Sequence, residues 1–277
     1  MSYKIAIDAG HGMNTAGKRC DRRYDPNETR EWWLNNRIVV KVIEELKAYD
    51  VSVIRTDDPT GRTDVALTAR TNAANRADVD VFVSVHHNAG GGSGIVVFRY
   101  PVVPADTRRL QDIVYEELIA ATGNRGNRAN PKTTADFAVL RQTRMHAVLC
   151  EMGFMDHPVD TPLILTEAYA NACAQGLIGA LVRFGQLKKL PAEDENGQTG
   201  EGTPPESEAP KPSEPVFPGT RYNGPSIVDA LKSIGVASGF SYRQRIAQKN
   251  GIAGYRGTAA QNTMMLRMLK EGKLKRP

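Results

Sequence analysis

Cysteine is scarce in this chain. Cys20, Cys150 and Cys173 are far apart, odd in number and form no C-x-x-C pair, which argues against a disulfide framework. Each is expected to be an ordinary buried thiol. A run of about 18 or more apolar residues is also lacking, so no segment is expected to span a membrane. The opening residues Met1-Ser2-Tyr3-Lys4-Ile5 lead straight into a strand-like stretch, without the charged and then apolar regions of a signal peptide. Synthesis and initial retention in the cytoplasm are therefore expected.

The net charge of +5 hides an asymmetry along the 277 residues. Residues 191–218 hold seven acidic residues, one lysine and seven prolines, with almost nothing apolar. Such a stretch buries too little surface to offset chain entropy, and both proline and like charge extend it. It reads as a linker between a domain over residues 1–190 and a module over residues 219–277. That module has eleven Lys or Arg against two acidic residues, so any argument from basic charge belongs there.

The first domain alternates strand and helix patterns. Strands are expected at Lys4–Asp8, Val51–Ile54, Val79–Val85, Gly94–Tyr100, Phe137–Leu140 and Ala147–Leu149. Helices are expected at Leu34–Leu46, Leu67–Ala77, Asp106–Ala121 and Glu167–Phe184. The fold class is α/β: a twisted, mostly parallel or mixed sheet with helices on both faces. Ligands in such sheets commonly bind where strands end in loops. The basic module reads as all-helical. Ser226 with Asp229 suggests a cap, Gly235 a stop, Ser241–Gln248 a second helix, and Thr258 the cap of a third.

Four segments end a strand or open a helix with a polar residue suited to zinc chemistry. They are Ile7-Asp8-Ala9-Gly10-His11-Gly12, Glu31 ahead of Leu34 and Asn35, Ser84-Val85-His86-His87-Asn88-Ala89, and Leu149-Cys150-Glu151-Met152-Gly153-Phe154. Two His and one carboxylate can bind zinc and leave a position open for water, and a second carboxylate beside that water completes a hydrolytic site. Glu28 competes with Glu31 for the carboxylate role. Adjacent strand residues point to opposite faces, so at most one of His86 and His87 is a ligand. His86 is read as in phase with Val81 and Val83, leaving His87 to face outward or touch substrate. An acid ending an apolar strand, as Glu151 does, must be paired, hydrogen-bonded or functional.

With Leu67, Arg70, Ala74 and Asn75 as a fifth motif, these segments in this order resemble the zinc-dependent N-acetylmuramoyl-L-alanine amidases of the third type, across residues 3–185. The resemblance implies a peptidoglycan hydrolase that cuts between the lactyl group of N-acetylmuramic acid and the first L-alanine of the stem. It implies that His11, Glu31 and His86 hold one Zn²⁺ and that Glu151 is the catalytic acid and base. Asn88 and His87 become candidates for substrate binding. Trp32 and Trp33 stand where the family more often has polar residues, and read either as core or as a sugar-stacking wall.

Residues 219–277 resemble a wall-targeting module of Gram-positive phage endolysins, through Ser226–Gly235 and Gly257–Thr263. The resemblance implies a wall target, and the excess of basic charge suits an anionic Gram-positive wall polymer as partner. Tyr222, Phe240, Tyr242 and Tyr255 form no stacking run, which argues against nucleic acid. The leading expectation is a phage or prophage endolysin released to the wall through a holin-type pore. The alternatives are a host sporulation or autolytic amidase, or a zinc peptidase on the same fold.

Overall fold

The computed structural model describes residues 3–191 and 216–276, apart from 221, 225, 235, 237, 253 and 254. The chain divides between residues 193 and 194 into two compact units. In chain order the first contains β1 (Tyr3–Ala9), α1 (Glu31–Leu46), β2 (Val51–Arg55), α2 (Leu67–Ala77), β3 (Val81–Asn88), β4 (Val96–Arg99), α3 (Ala105–Thr122), β5 (Lys132–Thr134), α4 (Ala138–Arg141), β6 (His146–Phe154), α5 (Asp160–Ile164) and α6 (Glu167–Gly185).

The strands form one sheet in the order β2-β1-β3-β6-β4-β5. Neighbours are parallel except β4 against β6, so the sheet is mixed. Side-chain alternation sorts the two faces. Ile5 and Ile7 of β1 and Val81, Val83 and Val85 of β3 are fully buried in one cluster with α1, α3 and α6. Ala6, Phe82, Ala147 and Leu149 lie in a second cluster with Ala74 of α2 and Val139 and Leu140 of α4. Each fully buried Val or Leu contributes roughly 1.5–3 kcal/mol, and continuous apolar strands are what a sheet covered on both faces requires.

Phe137–Leu140, expected as a strand, is instead the N-cap and start of the single-turn helix α4. Four apolar residues carry too little periodicity to separate the two. Tertiary contacts decide it: Asn75 of α2 donates from Nδ2 to the Gln142 carbonyl (2.8 Å) and accepts the Arg144 N–H (3.0 Å), closing the turn onto α2. The missed strand β5 is short and polar, and reveals itself only by pairing with β4.

The second unit contains α7 (Ile227–Ser233), α8 (Phe240–Lys249) and α9 (Ala259–Lys270). Ser226 accepts the Asp229 N–H as a cap, and Thr258 forms a full capping box with Gln261. The expected stop at Gly235 lies outside the described residues. The core gathers Ile227, Leu231, Ile246, Met265, Leu269 and Leu274. Phe217 is buried in the same core and its N–H bonds the Leu274 carbonyl (2.8 Å). Val216 and Phe217 therefore belong to this unit rather than to the acidic linker, whose residues 192–215 lie outside the described part.

Candidate metal centre

His11 follows β1, between two glycines and with a left-handed φ of +67°. Gly10 must be glycine: a Cβ there would stand 2.0 Å from Cε1 of His86. Glu31 is the first residue of α1, and its N–H bonds the Lys18 carbonyl (3.1 Å). His86 lies near the end of β3. Glu31 Oε1 is 3.0 Å from His86 Nδ1 and 3.4 Å from His11 Nε2. One ligand atom from each of the three residues lies within 4.8 Å of the others. Tetrahedral donors about 2.0 Å from an ion stand roughly 3.3 Å apart, so these spacings fit. Glu31 Oε2 is buried without a hydrogen-bond partner among the described residues, as expected of a carboxylate arranged for an ion. Lys18 Nζ lies 3.9 Å from it. Glu28 instead pairs with Arg19 at 3.3 Å, so of the two rival acids it is Glu31 that meets the histidines.

Burial works against a charge on Glu31, but hydrogen bonds to His11 and His86 outweigh it and hold the carboxyl well below the usual range. Burial likewise disfavours a charged His86, and its bond to Glu31 overcomes this and raises the imidazole.

Glu151 stands opposite His86 in the parallel ladder between β3 and β6. Just beyond, the register shifts: two steps on β3, from His86 to Asn88, span three on β6, from Glu151 to Phe154. Gly153, at φ +121°, sits in this bulge. Oε2 of Glu151 is enclosed and has no partner among the described residues. Burial pushes its carboxyl up to about 7, against the pull of His86. A carboxyl poised there can both accept and return a proton near neutral pH.

Arg70 organises the loop that carries His11. Fully buried, it donates to Asp8 Oδ2 (3.1 Å), the Ala9 carbonyl (2.8 Å), the His11 carbonyl (3.0 Å) and Asp64 Oδ1 (3.2 Å). Ser84 donates to the other oxygen of Asp8 (2.6 Å). The motif pattern included Asp8, Arg70 and Ser84 without a role. Lys18 and Asp64, which line the cleft, carried no signal in the sequence.

His87 requires a correction. It is 3% exposed, and it is His87 that shares the phase of Val81, Val83 and Val85, because residues two apart share a face. His86 shares the phase of Phe82 and Ser84. His87 therefore turns toward α1, where Nδ1 bonds Asn35 Oδ1 (2.8 Å), while Asn35 Nδ2 donates to the Gly10 carbonyl (3.1 Å). Trp32 is likewise core: 6% exposed, it donates from Nε1 to Asp57 (3.1 Å). Trp33 is half exposed under the Arg37 guanidinium, 4.4 Å from the ring centroid. Asn88, the last residue of β3, accepts the neighbouring Ala89 N–H at its side-chain oxygen (2.8 Å). None of these four lines the cleft over the cluster. Cys150 is fully buried and burial pushes its thiol far up, so it offers no thiolate nucleophile.

The cleft has a volume of about 470 Å³ and opens over His11, His86 and Glu151. A mixed α/β sheet that, with the start of one helix, gathers a His–Glu–His group able to hold a metal, with a second carboxylate alongside, is the layout of a metal-assisted hydrolase. The family model described as N-acetylmuramoyl-L-alanine amidase matches residues 5–183, and the chain belongs to that family. The N-acetylmuramoyl-L-alanine amidase CwlM of Bacillus licheniformis is 37% identical over 67% of this chain and 70% of its own. A sporulation-specific N-acetylmuramoyl-L-alanine amidase of Bacillus subtilis is 35% identical over 67% and 69%, and the endolysin of Bacillus phage SPP1 is 32% identical over 68% of each. Among solved structures, the catalytic domain of the amidase CwlV from Paenibacillus polymyxa aligns with a TM-score of 0.60 at 25% identity, covering 67% of this chain and 99% of that one.

Proposed function

We propose that the first unit cuts the amide bond between the lactyl group of N-acetylmuramic acid and the L-alanine of the peptidoglycan stem. The observation that carries the reading is Glu151, opposite His86 of the His11–Glu31–His86 group and lining the same cleft as His11 and His86. These three residues would hold one Zn²⁺, which when bound lowers the pKa of water and polarises a carbonyl. Glu151 takes the proton of the attacking water as the carbon–oxygen bond forms. It returns that proton to the departing nitrogen as the carbon–nitrogen bond breaks, leaving a lactyl carboxylate and a free L-alanine amine. Arg70 keeps the backbone at His11 in place throughout, through its bond to the His11 carbonyl.

Replacing Glu151 with Gln tests this. The variant should keep fold and metal but lose turnover by about 10²–10⁴-fold, the usual weight of general acid–base catalysis. Near-normal hydrolysis would remove Glu151 from the chemistry. Loss of cross-links with the sugar-linked amide intact would move the assignment to a peptidase.

The basic module of the second unit, residues 219–277, would tether the enzyme to an anionic Gram-positive wall polymer, with the acidic, proline-rich stretch before it as the spacer. Attachment of the full chain to purified walls should then weaken as salt rises. The endolysin relative supports release through a holin-type pore. The sporulation-specific relative supports a host enzyme as the second reading.

A further inference from the structure

Two segments of the cleft lining are made wholly of apolar residues. Val65, Ala66 and Leu67 at the start of α2 and Phe137, Ala138 and Val139 at the start of α4 line it, while the rest of the lining is largely polar or charged. Leu67 is 51% exposed and Phe137 is 40% exposed. Single exposed apolar residues are ordinary, but two large ones edging the same cleft beside a hydrolytic site are a surface kept for contact.

The aromatic ring is held rather than loose. Phe137 is the N-cap of α4 and its carbonyl accepts the N–H groups of Leu140 (3.0 Å) and Arg141 (2.9 Å). Its ring rests against Phe98 of β4, with centroids 5.3 Å apart. The two helices that supply Leu67 and Phe137 are fastened by the bonds of Asn75 to Gln142 and Arg144. A fixed aromatic face loses little entropy on binding.

We propose that Phe137, with Leu67 lining the same cleft, is a specificity-determining platform that receives the apolar face of the N-acetylmuramic acid ring. This rests on the amidase reading above. The proposed scissile amide joins two unlike halves. The stem begins with an alanine methyl, too small to cover a half-exposed phenyl and an exposed leucine together. A pyranose presents a broad face of C–H groups and an acetamido methyl, which match an aromatic surface in size and polarity.

The experiment compares two small substrates with the same scissile bond: N-acetylmuramoyl-L-alanyl-D-isoglutamine, and D-lactyl-L-alanyl-D-isoglutamine without the sugar. Full-length wild type, Phe137→Ala and Phe137→Trp are assayed for kcat and KM on each. Phe137→Ala should raise KM on the sugar-bearing substrate about tenfold, the worth of one aromatic contact, with kcat largely kept. Its KM on the sugar-free substrate should match wild type, and Phe137→Trp should restore the sugar effect. Equal losses on both substrates, or none on either, would overturn the platform. If wild type opens neither amide yet cleaves stem peptide bonds, the amidase reading fails and the platform with it. Wild-type cleavage with an indifferent Phe137→Ala overturns the platform alone.

Discussion

Gly10 and His86 lie in such close contact that a single methyl carbon on Gly10 would stand 2.0 Å from Cε1 and 2.3 Å from Nε2 of the imidazole. Gly10 directly follows β1, whose neighbour β3 carries His86, and the Gly10 N–H bonds the Val85 carbonyl at 2.9 Å, so the backbone cannot back away without breaking that bond. Gly10→Ala should displace His86 from Glu31. A shift of about 1 Å at a catalytic group can cost on the order of 10²-fold, and a loss of that size is expected with metal content reduced in parallel. Zinc titration and turnover of the folded variant check it. Full activity would mean that His86 tolerates the shift.

Arg70 and Asp8 form an ion pair in which both side chains are about 1% exposed. Removing one partner leaves an uncompensated buried charge. Arg70→Met should therefore cost about 3–5 kcal/mol, read as a lower denaturant midpoint. The carbonyls of Ala9 and His11 would lose their donor at the same time, so zinc affinity should fall even where the variant is still folded.

His87 makes stability depend on pH. Burial pushes its imidazole down to about 3, from an ordinary value near 6.5. Between those values the unfolded chain binds a proton that the folded chain refuses. The contribution is complete above pH 6.5 and is lost as pH falls toward 3, a range worth about 5 kcal/mol. His87→Gln should give a flatter stability curve over this window than wild type. Equal slopes in urea titrations at pH 4, 5, 6 and 7 would contradict a neutral buried His87.

Metal binding should release protons. Without an ion, burial works against a charged His86 but its bond to Glu31 outweighs this and raises the imidazole, so its proton is held more tightly than on a free histidine and competes with a metal. Zinc affinity should therefore increase as pH rises through the range in which His86 gives up its proton. Calorimetry in buffers of different ionisation enthalpy reads the protons released, and a heat independent of buffer would contradict the exchange.

Much of the first unit is legible in the sequence because its strands are short apolar runs that end in polar residues. Ile5–Ile7 and Val81–Val85 announce buried strands, and His11 stands just beyond the end of β1; His86 and Glu151, expected just after their strands, lie within the last few residues of β3 and β6, which run on to Asn88 and Phe154. Helix α1 is legible from its stripe of Leu34, Ile38, Val42 and Leu46, all buried. What eluded the sequence depends on contacts between distant residues. The single turn at Ala138–Arg141 is fixed by Asn75, 67 residues before its partner Gln142. Trp32 is made core by Asp57, which no local pattern links to it. His87 differs in kind. Its phase with Val81, Val83 and Val85 was available from counting by twos, and its burial follows directly from that parity.

The most direct test is a digest of purified Gram-positive peptidoglycan by the full chain, with and without EDTA and with zinc restored, read by mass spectrometry. The account predicts release of intact stem peptides bearing a free L-alanine amine, lost with EDTA and regained with zinc. Release that persists undiminished in EDTA, or glycan strands that keep their stems while cross-links disappear, would contradict it.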